Sequence, residues 1–309
     1  MTGVATIGQA SARGHWADRC GTTVLVTTNW VLDEGFSWSA DKLHITRQLA
    51  TRFLARVAGE VFRAEIELGT RPFYVPSDAI AAGVCGSDAT PMFGDWLARA
   101  EAERVARARL IYLEPPVGEL AIQVGADLRT RGIDNSFRTP APYGLVLCPS
   151  GLGYTSDGMQ LIAAHWGPAA AGGWWVTWWA DMRSYVAWTR EHAPEPDLWK
   201  TSVESVGLLH YIHATETNRA RPPAPGGWGG EYLYDVNHAG PETRGALAAL
   251  TGVWHLLAGD GVARERLVPT AAEADSDRRY GIVPSKITRV WLPATNDPDR
   301  LWDHVAGPM

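Results

Sequence analysis

The 309-residue chain carries 28 basic against 34 acidic side chains, a formal net charge of −6 and 46% hydrophobic residues. A chain of this length buries a sizeable core without staples, and no apolar run approaches the roughly 18–20 residues that span a bilayer. An integral membrane protein and a long disordered chain are excluded, and the acidic balance weighs against general nucleic-acid binding, which depends on neutralising phosphates.

Residues 1–20 read as a flexible tail. Thr22–Leu32, rich in β-branched and aromatic residues, reads as a strand. Asp41 is placed to open a helix running to about Leu68, because Leu49, Phe53, Val57 and Val61 recur every four residues. Phe73–Val75 is extended before Pro76, and Ser77 or Asp78 opens a short helix. Asp95–Ala108 is a second helix with an acidic start and an arginine-rich end. Leu110–Leu113 reads as a strand stopped by Pro115 and Pro116. Thr139–Pro142 is the best boundary between a mixed α/β region, 21–138, and a tryptophan-rich α+β region, 143–292, with a tail over 293–309. One continuous domain is the alternative.

Beyond that boundary the pattern turns to sheet. Gly144–Cys148 and Met159–His165 flank Asp157-Gly158 and predict a hairpin. Trp174–Trp179 predicts a strand, with Trp174 and Trp178 on one face and Trp175 and Trp179 on the other. Asp181 then caps a helix over Met182–Glu191, and Leu198–Asn218 reads as helical. Arg221–Gly230 is a break before a short strand at Tyr232–Val236. Glu242–Ala258, with Leu247, Leu250, Trp254 and Leu257 on one side, is a strong helix closed by Gly259, and Lys286–Leu292 is a last strand. The expected class is α+β, a helical and mixed first half followed by a tryptophan-rich antiparallel sheet packed by helices.

The stretches PYGLVLCPSGLGY, AAHWGP, WWVTWW and RGALAALTGVWHLLA occur in the order found in uncharacterised proteins carried by actinobacterial plasmids, phages and integrated elements. The chain resembles these over roughly Phe73 to Leu292. Members carry a longer arginine- and tryptophan-rich C-terminal extension than the residues after Arg300. The resemblance implies a mobile-element setting and supplies no catalytic residue. Only Lys42, Lys200 and Lys286 among the basic residues are lysine, which fits GC-rich coding.

Cys20, Cys85 and Cys148 lie far apart without a CxxC pair, against a disulfide framework or a cysteine-rich zinc module. Isolated thiols, and an N-terminus without a continuous apolar stretch, fit the cytoplasm. Cys85 among small neighbours reads as a small buried residue rather than a nucleophile. The loops Gly226–Gly230 and Gly151–Gly153 lack the flanking residues of a phosphate cradle, so no nucleotide loop is expected.

Three constellations remain. His210 and His213 could ligate a divalent metal from one face of a helix, although their i,i+3 spacing departs from the i,i+4 pair of metalloproteases and Glu216 follows three residues later. Glu231, Asp235 and His238 follow the glycine loop; two carboxylates on one strand face and an imidazole at its end suit metal binding or acid–base work. Trp174, Trp178 and Trp228 could form a stacking platform, against a core reading of the same indoles. The leading expectation is a cytoplasmic accessory or regulatory protein of a mobile element that binds a protein or nucleic-acid partner. The alternative is a metal-dependent hydrolase or nuclease using the carboxylates and histidines.

Overall fold

The structure, a computed structural model, describes residues 36–59, 91–131, 139–155, 158–169, 173–192, 209–217 and 241–293. The protein is α+β, with helices packed on both faces of one mixed sheet.

A 3-10 turn at Ala40–Lys42 leads into α1, Leu43–Phe53, which widens into a π-helical turn over Leu54–Ala58. The second helix, α2, spans Pro91–Arg107, one residue shorter at its end and four residues longer at its start than the sequence placed it. β1, Arg109–Leu113, follows directly. Pro115 and Pro116 do not merely stop that strand; they open α3, Pro115–Arg131, for which the sequence reading had no helix. Proline suits a first turn because the backbone N–H it lacks has no helical partner there. α3 returns the chain to β2, Gly144–Leu147, which runs parallel to β1, so the Thr139–Pro142 segment leads into a strand of the same sheet.

The expected hairpin is present: β2 pairs antiparallel with β4, Gln160–Pro168, and the two-residue β3, Gly153–Tyr154, pairs with β4 as well. β5, Trp174–Asp181, is the tryptophan strand, antiparallel to β4. Asp181 closes it and caps α4, Met182–His192, by accepting from the Arg183 backbone N–H at 2.7 Å. The same carboxylate accepts from Trp38 Nε1 at 2.7 Å, tying the segment before α1 to the end of β5.

Leu209–Thr217 is a strand, β6, and not part of a helix. It pairs antiparallel with β5 from Trp174↔Thr217 to Asp181↔Leu209, with a bulge opposite Trp178/Trp179. Tyr211, Ile212, Thr215 and Thr217 are residues that favour a pleated surface, and pairing with β5 decides the conformation. α5, Pro241–Ala258, matches the expected helix. β7, Ala263–Leu267, and α6, Ala271–Arg279, complete the chain before β8, Ile287–Trp291. α6 starts on a capping box in which Thr270 and Glu273 satisfy each other's backbone N–H groups.

The strand order is β6-β5-β4-β2-β1-β8-β7. The antiparallel expectation holds for the tryptophan strands, but β1 is parallel to both neighbours, β2 and β8. Side chains alternate accordingly. Ile111, Leu113, Val146, Trp166, Val176 and Trp178 face α3 and α5, whereas Leu110, Tyr112, Leu145, Trp175 and Trp179 face α1 and α2. The strands at Thr22–Leu32 and Tyr232–Val236 and the elements between residues 60 and 90 lie outside the described residues.

Candidate functional site

The carboxyl ends of the parallel strands β1 and β8 open onto a cleft of about 470 Å³ lined by Glu114, Pro116, Glu265, Arg289, Trp291 and Leu292. In open sheets with parallel strands, ligands are commonly received at this end. Glu114 follows β1. Its backbone N–H still donates to Val290 of β8 at 2.9 Å, and its carbonyl accepts from Val117 in the first turn of α3, so strand and helix together fix its position. Arg289 on β8 stands opposite Tyr112 on one side and Glu265 on the other. Its Nε donates to Glu114 Oε1 at 2.7 Å, and its Nη1 lies 3.9 Å from Glu265 Oε2. The bond to Glu114 raises the guanidinium pKa still further. Beneath it the Tyr112 phenol, pushed up to about 12 by burial and the Glu114 charge, donates to the Trp38 carbonyl at 3.1 Å.

Two carboxylates and one guanidinium leave this cleft with a surplus negative charge between walls of proline, tryptophan and leucine. Its chemistry suits a cationic group next to an apolar one. Beside the first turn of α3, the Cys148 thiol is bonded to Ser150 Oγ at 3.3 Å and the Gly151 carbonyl at 3.2 Å, and burial raises its pKa. It is a packed thiol, not a thiolate.

Two other polar groups are wholly interior. Glu101 of α2 and His165 of β4 are both fully buried. Glu101 accepts from His165 Nε2, Trp175 Nε1 and Thr177 Oγ1, each at 2.7 Å. Trp179 Nε1 donates to His165 Nδ1 at 2.9 Å, which leaves Nε2 to carry the proton shared with Glu101. Burial alone would raise the Glu101 carboxyl pKa; its interaction with His165, electrostatic first and then through the hydrogen bond, followed by the nearby Arg104 charge and the Thr177 hydroxyl, outweighs it and holds the group below its ordinary value. Arg104 lies over the Trp175 ring at 4.9 Å.

The other interior group joins α1 to α6. Arg47 Nη2 meets Asp277 Oδ2 at 2.6 Å, Gln48 Nε2 donates to Asp277 Oδ1 at 2.8 Å, and Arg47 Nη1 reaches Ser285 Oγ at 2.8 Å. His44, one turn before Arg47, is 2% exposed. Neither ring nitrogen has a hydrogen-bond partner among the described residues, and Nδ1 lies 3.5 Å from Asp277 Oδ2. Burial lowers the His44 pKa below 6.5 against the pull of Asp277, and Arg47 adds to the lowering. The unfolded chain therefore takes up this proton more readily than the folded one. Its contribution to stability is complete above 6.5 and is lost as pH falls toward the folded value. His44→Gln is expected to flatten the urea midpoint between about pH 7 and 5 relative to the wild type; superimposable curves would contradict this.

The residues singled out from the sequence fall differently. Trp178 is fully buried between β5 and the helices α3 and α5, so it is core and offers no face to a ligand; Trp174 is half-buried against Trp254 at 6.2 Å. His210 and His213 lie on β6, opposite Ala180 and Trp178, so the helical spacing argument does not apply to them. Glu231, Asp235, His238 and Trp228 lie outside the described residues, as does Cys85. Among the described residues no three His, Cys, Asp or Glu side chains converge as a metal set, and no helix is long and apolar enough to cross a membrane.

Sequence reasoning missed Glu101, Arg47, Asp277 and the Glu114–Arg289 pair. Glu101 had a signal: it stands four residues after Leu97 and four before Val105, an acid in the apolar stripe of α2. No known protein family, curated protein or solved structure matches the chain.

Proposed function

We propose that the protein is an accessory or regulatory binding protein, acting in the cytoplasm in the mobile-element setting suggested by its sequence motifs, and that it recognises a segment of a protein partner in the cleft at the ends of β1 and β8. The observation that carries this reading is Arg289 held by Glu114 at 2.7 Å and near Glu265 at 3.9 Å, beside the apolar surfaces of Pro116, Trp291 and Leu292. Glu114 already neutralises Arg289, the only cation among the described residues that line the cleft, which leaves Glu265 to attract a lysine or arginine of the partner while Trp291 covers a neighbouring apolar side chain. A phosphate chain would meet unmatched negative charge here.

Partners retained from the native host by the wild type are expected to be lost from Trp291→Ala, a weakening of at least ~30-fold if the indole is an anchor. Glu265→Arg is expected to slow association. Glu103→Arg, on the exposed side of α2, serves as the control. Equal retention by all three variants would overturn the reading.

A further inference from the structure

A different electrostatic pattern occupies the face of β8 and β7 turned away from the carboxylates of the cleft. Arg264 and Arg266 on the edge strand β7 pair with Val290 and Thr288, which places them on the α3/α5 face of the sheet. Arg109, the first residue of β1, shares that face, two positions before Ile111, whose partner is also Thr288. Lys286 immediately precedes β8. One step before the Leu110↔Ile287 pair, its backbone runs beside that of Arg109. Arg264, Arg266 and Lys286 are exposed.

Among the described residues these cations have no carboxylate partner. Elsewhere Arg47 is matched to Asp277, Arg107 to Glu103, Arg183 to Asp181, Arg278 to Asp275 and Arg289 to Glu114. Among the described residues, none of Arg109, Arg264, Arg266 and Lys286 forms an ion pair; Arg264 donates instead to the Leu256 and Gly259 carbonyls at the end of α5, and Arg109 to the Pro140 carbonyl at 3.4 Å. Glu265, between the two β7 arginines in sequence, points to the opposite face with Arg289. The crowding is felt by Arg109: burial first, then Arg266 and Arg264, lower its pKa. Folding thus gathers three like charges that repel one another, an arrangement relieved by an external polyanion.

We infer that this corner of the sheet is a docking surface for the phosphate backbone of duplex DNA, contacted without reading its sequence. Arg264 and Arg266 are two strand steps apart, roughly 6.7 Å, comparable to the separation of successive phosphates along one strand. Guanidinium groups bind phosphate oxygens in a planar fork. Single strands are held largely by stacking on aromatic rings. The exposed aromatic residues among those described, Tyr154 and Tyr280, belong to other parts of the fold, so a duplex is the better match. This surface is independent of the partner cleft, and either can fail without the other.

The test is fluorescence anisotropy of a labelled duplex of about 20 base pairs, titrated with the full chain between about 50 and 200 mM salt. Three phosphate contacts predict a log–log salt slope of about −2.7. Arg266→Glu is expected to weaken binding at least ~10-fold at low salt and to flatten the slope by about one or more. Its thermal stability should be unchanged or raised, because a repulsion with Arg109 is removed. Arg99→Glu, on α2, should bind as the wild type does. No binding at low salt, or Arg266→Glu binding like the wild type, would overturn the inference. So would Arg266→Ala self-associating with unchanged DNA affinity, since the arginines would then guard the β7 edge against strand pairing.

Discussion

Gly252→Ala is expected to destabilise the protein by about 2–3 kcal/mol, the cost of forcing a methyl into a packed interface. α3 and α5 cross with their backbones almost touching. A Cβ at Gly252 would overlap the Ala121 carbonyl oxygen and lie 2.8 Å from the Gly125 amide nitrogen, and a Cβ at Gly125 would overlap the Ala248 carbonyl. The obstacles are helix backbones, which cannot step aside as a side-chain tip can. Around this crossing Ala121, Val124, Ala249 and Val253 are buried with the tryptophans of the sheet, so separating the helices would open the core they share. In a protein of this size the loss corresponds to a fall in Tm of roughly 3–5 °C. Gly245 in the same helix is the control. It is exposed, with nothing within 4 Å of a Cβ, and alanine there is expected to add about 0.5–1 kcal/mol through helix propensity alone. Thermal unfolding of both variants checks the pair; equal Tm values would show that the crossing is looser than described.

Glu101→Ala should be the more damaging substitution, costing about 3–5 kcal/mol. It leaves the hydroxyl of Thr177 and the Nε2 proton of His165 buried without the Glu101 acceptor and takes from the Trp175 indole the shorter of its two bonds, the other being to Thr177 Oγ1 at 3.1 Å, in addition to a cavity. His165 cannot recover by switching tautomer, because Trp179 already donates to Nδ1. Glu101→Gln keeps the volume yet turns an amide N–H₂ toward at least one of these donors. It separates the electrostatic part from the packing part. The folded Glu101 carboxyl titrates below its unfolded value of 4.5, so its ionisation stabilises the fold fully above that pH. That share disappears as pH falls below 4.5 through the folded value. Urea midpoints followed from about pH 6 down to 3 should fall less steeply in Glu101→Gln than in the wild type. Parallel curves would mean that the carboxylate is not charged in the folded protein.

The pH response of His44 belongs to a different window. It begins at 6.5, above that of Glu101, so the two can be separated in one titration of the wild type and its variants.

Periodicity and end signals alone determined much of the scaffold. The apolar stripe of α5 with Gly259 beyond it, the hairpin of β2 and β4, the tryptophan strand and the Asp181 cap are all local patterns, and each occurs in the structure. The division of the tryptophans was legible too, since alternation along β5 sends Trp178 to one core and Trp175 and Trp179 to the other.

Tertiary structure decided the rest. Residues 209–217 contain both helix-compatible and strand-compatible side chains, and only the adjacent edge of β5 settles them as β6. α3 escaped notice because two prolines are read locally as a stop, whereas the strand behind them needs a crossover to reach its parallel neighbour. The polar groups were least visible of all. Glu101 and His165 are 64 residues apart, Arg47 and Asp277 230, and Glu114 and Arg289 175. A buried charge is tolerable only beside its partner, and a sequence places partners that distant together only through the register of the sheet and the packing of helices upon it.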